Sequence, residues 1–432
     1  MKKLLLSLMI LLQGVLVAQE IGKIAIQGVD IPVVFEKDAS LPLVSLQLVI
    51  KNGGSMEDGN NEGIAKFLAA MLGEGTKEMG STAFAEELEF RAIGLSANAG
   101  TETLVFDVSS LKEQFPYALE MLSKLLKSPN LSKESFEKVK LLTLGMLSNK
   151  ESDFDYIANL NLQKILFEGT PFAHAYYGDV KSIKNLKLKD VEAFYKEHVS
   201  LENVIIVAGG DIELSEIKKL VTPVLQEIKR GQAKAMPYFE ARKDEKELII
   251  EKESEQAYIY FGAPFYMKSG DEESYKAKVA SFILGESGFG SRLMEEIRVK
   301  RGLAYSSYSR TSVGKSHSSF TGHLQTKNEN LDEAKKIVKE EIKRFVQNGA
   351  TAEELAQAKR FLLGSEPLRN ETLSQRLNRA FFEYYGGFEL GYSKKQLEKI
   401  EKLSLEELNH FIQKHDEITK LSFSVVTKRA KP

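Results

Sequence analysis

The sequence contains no cysteine and no tryptophan, and only 6 histidines in 432 residues. Without cysteine there is no disulfide, no thiolate ligand for a metal, no thiol nucleophile and no cysteine for a lipid anchor. The fold therefore rests on its cores alone. His174, His198, His317, His323, His410 and His415 include no i, i+4 pair, so no helix can offer two imidazoles to one metal ion. An excess of either charge is also missing: Lys plus Arg number 59 against 61 Asp plus Glu, a net charge of −2. No field of one sign draws the chain to nucleic acid or an acidic membrane, and nucleic acid is not expected as a partner.

At 432 residues and 43% hydrophobic composition, the chain exceeds one ordinary core and suits two domains of about 200 residues. Lys2 and Lys3 precede an apolar run from Leu4 to Val17, interrupted by Ser7, Gln13 and Gly14; Ala18 then precedes Gln19-Glu20. This pattern reads as a secretory signal peptide over residues 1–18, cleaved after Ala18, and the expected location is the periplasm. The run is shorter than the roughly 20 residues of a membrane-spanning helix, so no integral membrane association is expected. Leu16, large for the position two before the cut, leaves an uncleaved anchor as the alternative.

Residues 19–229 read as a first domain, 230–247 as a polar exposed linker and 248–432 as a second domain. Strand patterns fall at 24–26, 31–35, 44–50, 104–108, 204–208, 248–251 and 258–263, and helix patterns at 114–126, 133–149, 215–228 and 275–284. Ser132-Lys133-Glu134-Ser135-Phe136-Glu137-Lys138-Val139-Lys140 repeats as Thr351-Ala352-Glu353-Glu354-Leu355-Ala356-Gln357-Ala358-Lys359, matching in cap, acid, apolar and lysine positions. A repeat near half the chain length indicates two like domains, since solenoid units run only about 20–50 residues.

The most informative stretch is Gly63-Ile64-Ala65-Lys66-Phe67-Leu68-Ala69-Ala70-Met71-Leu72. Its apolar residues at 64, 67, 68, 71 and 72 predict a helix with one core-facing stripe, which places Lys66, Ala69 and Ala70 together on the other face. In residue order the segment resembles the metal helix of the inverted zinc peptidases, the pitrilysin, insulinase and mitochondrial processing peptidase family, whose signature is H-x-x-E-H. The position matching that family's third ligand, a Glu on a later helix, is Met146. Zinc is bound by imidazole N, thiolate S or carboxylate O, and Lys66, Ala69, Ala70 and Met146 carry no imidazole, no thiolate and no carboxylate. No cofactor is expected in this chain. Val139, Leu142, Thr143 and Met146 read as one stripe on the 133–149 helix, with Val139 and Met146 packed in the core.

The resemblance extends further. Gly94 to Thr101 looks like the family's G-x-x-x-N-A-x-T strand, which implies that Ala97, Asn98 and Ala99 lie at a sheet edge and pair with an extended peptide backbone; a turn role for Asn98 is the alternative. His174-Ala175-Tyr176-Tyr177-Gly178 is similar to its H-P-Y-G turn, and His174 by itself reads as a structural hydrogen-bonder. Ser291-Arg292-Leu293 through Arg298, Gly302-Leu303 and Tyr305-Ser306 closely resemble the family's S-R-L-x-x-x-L-R-x-x-x-G-L-x-Y-S. There the Arg and the Tyr seven residues later, here Arg298 and Tyr305, bind substrate near the scissile carbonyl. The implied fold is α+β: tandem duplicated α/β sandwiches, antiparallel-rich sheets with helices, facing each other across a chamber. The implied function is that of the non-catalytic subunit of a two-chain zinc peptidase. It expects a paralogous partner with intact H-x-x-E-H that carries the zinc, and extended peptides as substrates. A stand-alone peptide-binding or assembly scaffold is the alternative.

Overall fold

The computed structural model describes residues 19–428; the signal peptide read at residues 1–18 lies outside them. The first half runs β1 (Gln19–Ile26), β2 (Val29–Lys37), β3 (Leu43–Lys51), α1 (Ile64–Leu72), α2 (Gly80–Phe90), β4 (Gly94–Ala99), β5 (Thr103–Leu111), α3 (Phe115–Lys127), α4 (Lys133–Lys150), α5 (Phe154–Leu166), α6 (Val180–Asn185), α7 (Leu188–His198), β6 (Val204–Gly210) and α8 (Leu214–Gln226). Its six strands form one sheet in the order β1-β2-β6-β3-β5-β4, antiparallel except for β2 with β6. Strand β6 is apolar and buried along its whole length, as a strand covered on both faces must be. Strand β5 buries Leu104, Phe106 and Val108 and leaves Val105 and Asp107 half-buried, the alternation of a strand packed mainly on one side.

The second half runs β7 (Phe239–Glu240), β8 (Glu247–Glu251), β9 (Gln256–Pro264), α9 (Ser274–Ser281), α10 (Arg292–Met294), β10 (Ala304–Val313), β11 (His317–Lys327), α11 (Leu331–Asn348), α12 (Ala352–Gly364), α13 (Leu373–Gly386), α14 (Tyr392–Lys402), α15 (Leu405–Lys414) and β12 (Ser422–Thr427). Helices α9 and α10 each run on into a π turn, Phe282–Glu286 and Glu295–Val299. The sheet order is β10-β11-β9-β12-β8. This retraces the first sheet strand for strand from β4 to β2 and, among the described residues, stops before any equivalent of β1. The repeat is real in three dimensions: Ser132 caps α4 and Thr351 caps α12, each side-chain oxygen accepting from the amide three residues on at 3.2 Å. The expected stripe on α4 is corrected in part. Val139 and Leu147 are buried and Met146 packs partly against the core, whereas Leu142 is 62% exposed, because the helix turns its Phe136–Val139–Leu147 side inward.

The halves are joined by a reciprocal exchange of equivalent helices. Helix α5 of the first half lies on β9 and β12 of the second sheet, where Leu162, Leu166 and Phe167 cluster with Ala241. Asp155 on α5 accepts from Gln325 Nε2 at 2.6 Å and from the Tyr260 hydroxyl at 3.2 Å. Helix α13 of the second half lies on β2 and β6 of the first, with Leu377 and Ala380 against Val34, Val49, Ile205 and Val207. There Arg376 ion-pairs with the buried Glu36 and with Asp38. Most of residues 230–247 are exposed, with two local anchors: Ala241 is buried, and Phe239–Glu240 pair in parallel with His317–Ser318 of β11.

Candidate functional site

Helix α1 starts where it does because two glycines clasp. Gly63 sits at φ 90°, and a Cβ there would lie 2.5 Å from Tyr177 O; Gly178 sits at φ 71°, and its Cβ would meet Glu62 O at 2.4 Å. Only glycine tolerates both the left-handed backbone and the close approach. The contact is pinned by Ser182 Oγ, which donates to Glu62 O at 2.9 Å, and by a residue that the pattern of 63–72 did not flag. Asp58, 4% exposed, accepts from Gly63 N at 2.7 Å and from Ala65 N at 3.0 Å, satisfying amides that a helix start leaves open. Burial pushes its carboxyl up to about 7, against the pull of those two amides.

The clasp brings Tyr176 and Tyr177 over the outer face of α1. Lys66 Nζ stands 4.5 Å from the centre of the Tyr176 ring and 5.6 Å from that of Tyr177, and donates to Asn98 Oδ1 on β4 at 2.7 Å. Burial holds the ammonium pKa below its ordinary value. Ala70 is exposed, while Ala69 is buried rather than sharing an open face with it, because the helix is enclosed on more than one side. The donor set does not fit zinc: an ammonium occupies the face, two alanines offer only methyl groups, and Met146 offers a thioether. Among the described residues, no group of three or more His, Cys, Asp or Glu is placed to hold a metal ion.

Asn98 lies in a strand and not in a turn, and β4 is an outer strand of its sheet beside α1. Gly100 N donates to Thr103 O at 2.6 Å, closing the β4–β5 hairpin, so by alternation Ala97 and Ala99 direct their main-chain N–H and C=O away from β5. The Ala99 carbonyl is already taken by the Tyr176 hydroxyl, whose pKa burial raises to about 12. Ala97 is left as the centre of the open edge. His174 keeps its Nδ1 buried without a hydrogen-bond partner among the described residues, which contradicts a simple hydrogen-bonding role for that atom.

The second cluster is built differently. The π turn Glu295–Val299 aims Arg298 at Tyr305, the second residue of β10. The Arg298 guanidinium lies 4.5 Å from the Tyr305 ring centre and 4.6 Å from that of Phe289. Tyr305 is 82% exposed and Phe289 68%. The preceding arginine of the segment, Arg292, is by contrast consumed by structure, bonding to Glu354 at 2.6 and 2.8 Å and to Gly349 O at 2.8 Å. Among the described residues no carboxylate pairs with Arg298, and no hydrogen bond, ion pair or ring contact links its cluster to that of Lys66. The structure therefore gathers Lys66, Asn98 and Tyr176 in one place and Arg298, Tyr305 and Phe289 in another.

Two like α+β domains, a ligand-free helix beside an open edge strand, and an exposed Arg/Tyr pair in the second domain define a peptidase fold whose metal helix carries no metal ligands. Family models agree: Insulinase (Peptidase family M16) matches residues 32–179 and Peptidase M16 inactive domain matches residues 185–362. The chain belongs to peptidase family M16. It is 42% identical, over 100% of both chains, to a Helicobacter pylori protein named non-peptidase homolog YmxG. It is 25% identical to the uncharacterized zinc protease YmxG of Bacillus subtilis, over 80% of this chain and 84% of that one. A peptidase M16 inactive domain from Pseudomonas fluorescens superposes with a TM-score of 0.87 at 26% identity, covering 96% of this chain and 99% of that one. The periplasmic protease PqqL from Escherichia coli shares the fold alone, at 13% identity and a TM-score of 0.79, with 46% of that chain covered. Among the described residues no helix is long and apolar enough to cross a membrane.

Proposed function

We propose that this chain is the non-catalytic subunit of a heterodimeric zinc metallopeptidase of the periplasm. A paralogous partner with intact H-x-x-E-H holds the zinc; this chain holds none and contributes chamber wall, the β4 edge around Ala97 and the pair Arg298 and Tyr305. The observation that carries the reading is Arg298: a guanidinium stacked between two exposed rings, with no acid among the described residues to neutralise it, is preorganised for a group outside the chain. Guanidinium and phenol donors suit a peptide carbonyl and the charge that develops on it. The open β4 edge suits a backbone already extended, because it offers N–H and C=O rather than a side-chain pocket. Support for a non-catalytic role comes from the missing ligands and from the relative named a non-peptidase homolog.

The test is reconstitution of the purified chain with its paralogue from the native periplasm. Alone, the chain should bind no stoichiometric zinc and cleave no peptide; a tightly held zinc with chelator-sensitive hydrolysis would overturn this. In the pair, Arg298→Ala should lower peptide turnover while size-exclusion profiles stay unchanged. Undiminished turnover with intact assembly would leave the scaffold role in its place.

A further inference from the structure

Ala65-Lys66 and Leu72-Gly73-Glu74 recur at the same spacing as Ala277-Lys278 and Leu284-Gly285-Glu286, so α9 with its π turn is the second domain's copy of α1. The two copies use their charges differently. In the first, Lys66 is bonded to Asn98, and Glu74 is ion-paired with Lys138 at 2.8 Å. In the second, neither Lys278 nor Glu286 has an ion pair among the described residues; Glu286 accepts from Ser281 Oγ at 2.8 Å.

More cations without an acid lie around that second copy. Thr311 N donates to Ser281 Oγ at 3.0 Å, which sets α9 against β10, the outermost strand. Phe282 packs on Phe361 with ring centres 4.9 Å apart, which brings up the turn Pro367–Arg369 that follows α12. Arg310 on β10 and Arg369 in that turn are exposed. Arg310 has the neutral Tyr308 hydroxyl as its partner, and Glu366 is taken by Arg379 and Asn370. Partial burial of its ammonium and the like charge of Arg369 hold the Lys278 pKa below its ordinary value, against the pull of Glu366. From Arg298 along β10, the cations without an ion pair among the described residues are thus Arg298, Arg310, Lys278 and Arg369, against the unpaired carboxylates Glu286 and Glu295. In a chain of net charge −2, this strip holds a local excess of positive charge.

We infer that the strip along β10 is a carboxylate subsite, so that the extended peptides held at Arg298 and Tyr305 are acidic ones; the inference rests on the reading of that pair as substrate-binding. Strand geometry sets the position of the acid. Tyr305 to Arg310 spans about 15 Å at roughly 3.3 Å per residue, slightly less for the bulge between Ala304 and Ser307. An extended peptide covers that length in about four or five residues. The carboxylate is therefore carried that far from the carbonyl at Arg298, on a side chain or at the peptide's C-terminus.

The probes are amidated alanine–serine peptides about ten residues long, labelled with a neutral fluorophore, with paired glutamates, glutamines or lysines near the C-terminal end. A glutamine version with a free C-terminus completes the set. Binding to the full chain alone is read by fluorescence anisotropy and needs no cleavage. The glutamate peptide should bind about five- to tenfold more tightly than the glutamine one, the worth of one or two exposed ion pairs, and the lysine peptide should bind weakest. If the free-terminus peptide matches the glutamate peptide, the carboxylate recognised is the chain end; if not, it is the side chain. Lys278→Gln combined with Arg310→Gln should abolish the preference, and Arg369→Gln, in an exposed turn, should reduce it and serves if the double variant does not fold. Equal binding of glutamate and glutamine peptides, or a preference that persists in the folded double variant, would overturn the proposal. A preference intact while the reconstituted pair cleaves nothing would overturn the catalytic reading and leave this one standing.

Discussion

The α1 cluster and the Arg298 cluster began from the same family template and ended in opposite states. Around α1 three polar side chains have found internal partners: Lys66 has Asn98 and two rings, Tyr176 has Ala99 O, and Asp58 has two amides. Around α10 the guanidinium has two rings and, among the described residues, no acid, with Tyr305 turned out to solvent. A polar group satisfied at home contributes to stability, while one held ready and unsatisfied contributes to binding. The difference teaches that the first cluster is spent on the chain's own atoms, whereas the second presents its rings to solvent.

The sharpest way to break this comparison is to truncate both cations in the reconstituted pair. Arg298→Ala should cut peptide turnover by about 100-fold, the lower end for losing an oxyanion donor, and leave the thermal midpoint in place. Lys66→Ala should leave turnover within about twofold, because its donors are spent internally. Equal losses from both would erase the distinction. Next in size, Gly63→Ala forces a Cβ to 2.5 Å from Tyr177 O at φ 90° and should cost about 1–3 kcal/mol of unfolding free energy in denaturant titrations.

A pH profile sharpens the structural side. Because the folded protein holds Asp58 at about 7, above its ordinary 3.8, the folded state binds that proton more tightly than the unfolded state. Its stability contribution is therefore greatest below the unfolded value and is lost as pH rises toward 7, with a slope up to about 1.4 kcal/mol per pH unit. Asp58→Asn should flatten that portion of a stability curve measured from pH 4 to 7. The smallest effect is expected for Lys66→Met, which keeps the stem and removes the cation, at about 1 kcal/mol in thermal melts.

Residue spacing alone disclosed α1, the two capped helices and the strand alternation of β5, since amphipathic period and cap chemistry are local signals. Asp58 was not legible: it lies five residues before Gly63 and seven before Ala65, outside the spacing of a capping box. Leu142 misled because period alone cannot say which of two apolar stripes on α4 turns inward. The exchange of α5 and α13 has no local signature either, since a helix's apolar face is the same whichever sheet it covers. The open edge at β8 became visible only when the two sheets could be laid side by side.

That exchange also sets a timetable for synthesis. Strand β6 completes the first sheet at Gly210, but the helix that seals its back begins at Leu373. At roughly 5–20 residues per second the bare face of Val34, Val49, Ile205 and Val207 must wait on the order of ten seconds at the ribosome. A nascent chain of this design invites a holding chaperone, and a product truncated after the linker would carry an unsealed, adhesive sheet. Two half-chains made together, by contrast, hold everything needed to seal one another.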